Sequence, residues 1–327
     1  VTRRRGAILV ALTVVVAAFS LLSLVAGKVW VPPGVWFTHA ADPRWAIVTQ
    51  LRLPRTILAI AVGGALGLSG AALQGYTRNP LADPGVLGVS SMAALGAVLT
   101  IYFGFSAQSP WLLSIAGMAG AALGMIVLLA LSGATGGIVT FLLAGMVLNA
   151  LSSAAVTLAL GLAPSPWAVA EIVNWLMGSL QDRSMEELRI ALPFIAAGCA
   201  LILFTGRALD ALTLGEAGAR ALGVDLGRTR LLLVLGLGLA TGASVAVTGV
   251  IGFVGLIIPH ILRPLIGARP GGLLLPSAVA GAALVLAADV LVRLTPSAVE
   301  VKLGAAMAAL GAPFFLSILI SMRRKLA

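Results

Sequence analysis

Long apolar runs separated by short polar breaks fill this chain from end to end. Runs fit to cross a bilayer lie at about 7–27, 54–75, 91–105, 111–132, 139–162, 190–205, 231–250, 273–292 and 303–321, since a helix rising 1.5 Å per residue needs roughly 20 apolar residues to span. A shorter run at 253–266 carries Pro259 in its middle and predicts a short or broken helix. The pattern predicts an all-α polytopic membrane protein of about ten transmembrane helices. It forms one membrane domain over 1–327, with both ends on the same side. The first run follows Arg3, Arg4 and Arg5 and exceeds the ~7–15 residues of a secretory signal core, so it reads as a first span.

Composition agrees with this pattern and narrows the function classes. Hydrophobic residues make up 60% of the 327 positions and charged residues 10%, with a mean hydropathy of +1.10. Those values exclude an ordinary soluble domain. The 21 Lys and Arg against 11 Asp and Glu sit between apolar runs, so they report orientation in a lipid bilayer rather than a nucleic-acid partner. Thirteen of the 21 fall on the side of the two ends, which reads as cytoplasmic, and eight on the other. The single cysteine, Cys199, lies in an apolar run and excludes a disulfide framework. Small residues, among them Gly63, Gly67 and Gly70 in the second run and Gly117, Gly120 and Gly124 in the fourth, form faces on which helix backbones approach closely.

Three polar segments are long enough to carry function: 29–50 with Trp30, Trp36 and Trp45, 165–187 with Trp167 and Trp175, and 207–230. Within the last, 209–222 reads as one amphipathic helix ended by Gly223, with Glu216 and Arg220 four apart on one face. Arg52 and Arg55 flank Pro54 at a helix start on the side opposite the ends, where they either snorkel to headgroups or receive an acidic partner. Arg293 reaches that side from another helix end, and Asp289 four residues earlier reads as its structural ion partner rather than a proton relay. Asn79-Pro80-Leu81 and Asp83-Pro84-Gly85 fix a rigid turn, either a helix connector or a gate at the inner end of a pore. Catalytic constellations are lacking. His39 and His260 are far apart, no cluster has metal-ligand spacing, and no phosphate-binding loop motif occurs. The expectation is a chain that is not an enzyme and binds no metal or cofactor itself.

Several long motifs resemble the FecCD-type permease family, the membrane subunits of ABC importers for iron chelates, haem and vitamin B12. They are LRLPR at 51–55, SGAALQGYTRNPLADPGVLGVS at 69–90, FLLAGMVLNA at 141–150 and LGEAGARALGV at 214–224. GVIGFVGLIIPHILRPLIG at 249–267, LLLPSAVAGAALVLAADVLVRL at 273–294 and LGAPFF at 310–315 complete the series. The resemblance covers nearly the whole chain. It implies a homodimer in the bacterial inner membrane, both termini cytoplasmic, with the pathway on its two-fold axis. Two copies of a cytoplasmic ABC ATPase, which hold ATP and Mg, lie beneath it, and a periplasmic substrate-binding protein docks above.

Carried over by position, Arg52, Arg55 and Arg293 bridge to that binding protein, and Lys302 adds a charge beside them. Leu214, Gly215, Glu216, Ala217, Arg220, Leu222 and Gly223, in a coupling helix of about 209–224, seat in the ATPase. Asn79, Leu81, Val139 and Thr140 form the cytoplasmic gate, and Met146, Asn149, Ser153 and Met307 line the pathway. One departure is Glu300-Val301-Lys302-Leu303-Gly304, which lacks the family's proline before the last helix. The NPLADP and GVLGVSS stretches resemble haem and Fe(III)-siderophore branches more than corrinoid ones, so an iron chelate is the first expected cargo and vitamin B12 the alternative. An ion-coupled secondary transporter is the alternative from another class, and the scarcity of intramembrane carboxylates counts against it.

Overall fold

The computed structural model describes residues 2–38, 42–133, 137–296 and 300–326. Among these, every regular element is a helix. The order is α1 (Thr2–Val25), α2 (Val35–Thr38), α3 (Arg44–Ala46), a π-helical turn (Ile47–Arg52), α4 (Leu53–Thr77), α5 (Val89–Tyr102), α6 (Pro110–Ser132), α7 (Ile138–Gly161) and α8 (Pro166–Leu176). It continues with α9 (Met185–Phe204), α10 (Gly206–Leu212), α11 (Gly215–Ala221), α12 (Leu226–Thr248), α13 (Val254–Ile266), α14 (Pro270–Leu294) and α15 (Leu303–Leu326). Among the described residues seven helices are long and apolar enough to cross a membrane, and α5, α13 and α15 supply three shorter apolar stretches. Together they coincide with the ten runs of the sequence.

Burial sorts these helices into an inner and an outer set. The apolar windows of α4 and α12 are each 78% buried and that of α14 67%, whereas α1 is only 11% buried and α9 28%. Small residues permit the inner contacts. A Cβ on Gly67 would lie 2.2 Å from the Ser277 carbonyl oxygen, and one on Gly70 would lie 2.0 Å from that of Gly255. Helix α4 therefore meets α14 and α13 backbone to backbone, the arrangement that dispersion favours where lipid supplies no hydrophobic drive. Helices α5 and α6 use the same device at Gly96 and Gly120.

Between α12 and α13 the chain leaves helical geometry over 249–253, with Phe253 in the left-handed region at φ 67°. Irregular backbone at membrane depth persists only where protein covers it. Here the Ser179 N–H donates to the Thr248 carbonyl at 2.7 Å, and α15 closes over the segment through Gly304 N–H to Gly178 O at 3.0 Å. The end of α1 is tied to Arg52 and the start of α15 to Gly178.

One expected element is corrected. Residues 209–222 form two short helices, α10 and α11, because Gly215 adopts φ 88° and breaks the helix. A left-handed residue costs glycine little and any other residue more. Gly223, at φ 81°, ends α11 at the expected place.

Candidate docking and coupling surfaces

On the Arg52 face three guanidinium groups converge. Pro54 in the first turn of α4 sets the helix start, with Arg52 two residues before it and Arg55 immediately after. Arg52 donates to the carbonyls of Leu24 at 2.9 Å and Val25 at 2.6 Å, at the C-terminus of α1 where helix carbonyls lack intrahelical partners, and to that of Val29 just beyond it. The Val25 carbonyl also accepts from Val31 N–H at 3.2 Å. Arg293 donates to Ser23 O at 2.9 Å and pairs with Asp289 at 2.9 Å. Arg55 pairs with the same Asp289 at 2.8 Å and with Glu300. Asp289 is fully buried, so one carboxylate between two arginines is the ionic centre of this face.

The expected docking arginines are thus largely spent inside the chain: Arg52, Arg55 and Arg293 are only 6%, 9% and 6% exposed. They nonetheless line an open cleft of about 210 Å³ together with Lys28, Arg183 and Glu300. Three arginine charges against those of Asp289 and Glu300 leave the centre with a surplus of one positive charge. Arg183 beside it pairs with Glu187 at 3.9 Å, with its Nε buried and without a hydrogen-bond partner and its charged form disfavoured by burial against the pull of Glu187 and Asp182. Lys302 is half-buried immediately before α15, where its carbonyl accepts from Ala306. The partners at the end of α1, and Glu300, were not anticipated from sequence.

The opposite face brings together the positions expected to form the gate and the coupling element. Arg78 ends α4 in the left-handed region at φ 54°. Asn79 Oδ1 accepts from Leu81 N–H at 3.0 Å and Asp83 Oδ1 from Gly85 N–H at 2.8 Å, which fixes the turn. Burial pushes the Asp83 carboxyl above its ordinary range against the Gly85 bond. Helix α11 lies beside the start of α7: Glu216 Oε1 accepts from Ile138 N–H at 3.2 Å, and its Oε2 meets Arg220 at 3.4 Å. Leu214 and Leu222 are 67% and 64% exposed, an apolar pair that the described residues leave mostly uncovered. Ala217, Gly223, Val139 and Thr140 share this end, Val139 being 70% exposed.

Along α7 the positions expected to line a pathway are turned outward: Met146 is 54% exposed, Ser153 is exposed, and Asn149 is half-buried with its Oδ1 accepting from Ser91 Oγ at 2.5 Å. Met307 is a correction. It is fully buried because the first turn of α15 packs that face onto its own chain, leaving Ala305 and Ala308 to 310 outward. His260 packs edge-on against Phe314 at 6.0 Å, while His39 lies outside the described residues.

The FecCD transport family profile matches residues 13–321. The chain belongs to that family. FecCD-type relatives include the vitamin B12 import system permease proteins BtuC of Klebsiella pneumoniae, 38% identical over 98% of this chain and 96% of the relative, and of Escherichia coli, 39% identical over 97% and 95%. A solved structure assigned as an inward-facing conformation of a metal-chelate type ABC transporter is 32% identical, with a TM-score of 0.85, and covers 97% of this chain and 99% of its own. The chain is therefore a multi-pass membrane permease of the FecCD type, in agreement with the ten apolar helices.

Proposed function

We propose that the chain is the membrane subunit of an ATP-driven importer that moves a corrinoid of the vitamin B12 class into the cytoplasm by alternating access. The observation that carries the substrate is the near-full-length identity of 38–39% to relatives named as vitamin B12 import permeases. It favours a corrinoid over the haem or siderophore expected from the 79–91 stretch. The metal-chelate type structural relative, at 32% identity, keeps an iron chelate as the second reading.

In this reading two copies of the chain sit in the bacterial inner membrane, termini inward. A periplasmic binding protein engages the Arg52 face and two ABC ATPases the α10–α11 face. The exposed faces of α7 and α15 meet across the two-fold axis, where outward Met146 and Ser153 present a weakly interacting wall to a bulky cargo. An acidic group of the binding protein enters the arginine cleft and takes Arg55 from Glu300, and charge complementarity there sets orientation and on-rate. The exposed Leu214 and Leu222 seat in the ATPase, whose closure drives rigid-body rocking of the helices.

Complementation tests the substrate. In a bacterium deleted for its own vitamin B12 permease, this chain with its cognate ATPase and binding protein is expected to restore growth that depends on nanomolar cyanocobalamin. Failure there, with restoration of growth on a ferric siderophore or haem in matching deletion strains, would transfer the assignment to an iron chelate.

A further inference from the structure

The segment between α9 and α12 holds two spanning helices by their N-termini. Helix α7 begins after Gly137, which has no side chain to cap it, so its first N–H groups need acceptors from elsewhere. Glu216 provides one from α11, 78 residues away, at 3.2 Å from Ile138 N. Helix α14 begins in the same way. Its preceding residue makes no side-chain cap, and Asp210 on α10 accepts from Gly271 N–H at 2.8 Å and from Arg269 Nε at 2.7 Å. A carboxylate at a helix N-terminus meets both the orphan donors and the positive end of the helix dipole. Helix α7 is the less embedded of this pair within its own chain: 33% of its apolar window is buried, against 67% for α14, so fewer contacts of its own chain oppose its displacement.

We infer that Glu216 is the positioning residue that ties the start of α7 to α11, so that displacement of α11 moves the gate positions Val139 and Thr140 with it. Asp210 holds the same segment to the buried α14 and serves as the fixed point. Gly215 allows α11 to turn relative to α10, since its φ of 88° is a hinge geometry that a side chain would strain. One turn on, a second contact joins α7 to the inner helices α4 and α12. Phe141, one turn into α7, stacks edge-on against Tyr76 at 5.5 Å, and the Tyr76 hydroxyl accepts from Arg230 of α12 at 3.2 Å. The Arg220 pair with the other Glu216 oxygen keeps the carboxylate turned toward Ile138.

This inference rests on the reading of α11 as the ATPase-facing element, and the experiment separates the two. The full transporter is reconstituted with Glu216→Ala, with Glu216→Gln, which keeps an acceptor oxygen, and with Leu214→Asp/Leu222→Asp. Co-elution of the ATPase, cargo moved per ATP hydrolysed and hydrogen exchange of the 137–141 amides are measured. Per ATP hydrolysed by the assembled complex, Glu216→Ala is expected to lose about tenfold in cargo moved, and to lose about tenfold in protection at Ile138, the size of a charge-assisted hydrogen bond. Glu216→Gln is expected to recover most of both. Unchanged cargo per ATP and unchanged protection in Glu216→Ala would overturn the positioning role. Loss of ATPase co-elution in the double leucine variant supports the surface on which the inference rests, and its full retention overturns that surface whatever Glu216 does.

Discussion

At the scale of single residues, the decisive feature is Asp289. It lies fully buried between Arg55 and Arg293, and removing one partner of a buried ion network leaves uncompensated charge that costs more than the pair contributes. Asp289→Ala is expected to destabilise the protein by about 3–5 kcal/mol, read as a lowered midpoint in denaturant titration of the detergent-solubilised chain. A midpoint within error of the parent would mean that the arginines find other compensation. Glu300 has a different part: it is the less buried partner of Arg55, the one that the proposed docking displaces. Glu300→Gln is expected to raise binding-protein affinity about fivefold, corresponding to about 1 kcal/mol, in titrations at low salt, with the gain shrinking as salt is added. Weaker binding in that variant would show Glu300 to be part of the docking surface itself.

The Asp289–Arg293 pair was legible in the sequence because four residues of helix place both on one face. Its third member was not, since Arg55 and Asp289 are 234 residues apart. Arg52 was read as facing outward because only its side of the membrane is encoded in the charge pattern. The carbonyls that turn it inward belong to the end of α1, and no side-chain pattern marks them.

At the scale of elements, the inner helices are placed by what their small residues omit. Gly70 leaves no room for a side chain against the Gly255 backbone. Gly70→Ala is expected to cost about 1–3 kcal/mol and to shift α13, detectable as a lower thermal midpoint of the purified protein. An unaltered midpoint would show that α4 and α13 separate without penalty. The spans themselves were readable from hydropathy, and α13 was readable as a short helix from Pro259. The split of 209–222 was not, because glycine inside an amphipathic pattern is compatible with a continuous helix until the fold requires a left-handed residue. Met307 fails for a related reason: periodicity gives the faces of α15 but not which of them meets the rest of its own chain.

At the scale of the whole molecule, the two ends carry opposite designs. One gathers buried arginines under an open cleft, and the other exposes leucines at the two ends of α11, with Glu216 of α11 at the start of α7 and Asp210 of α10 at the start of α14. Helix α4 runs between them as a packed strut, from Arg52 to the Asn79 turn. Such an arrangement suits a permease that receives cargo at one face and mechanical work at the other, and family membership agrees with it. The most direct test of that account is uptake of labelled cyanocobalamin into proteoliposomes containing this chain and its ATPase, with the binding protein outside and ATP or an ion gradient as the energy source. The account predicts uptake that needs internal ATP and stops when the ATPase cannot hydrolyse it. Uptake driven by a proton or sodium gradient without ATP would contradict it.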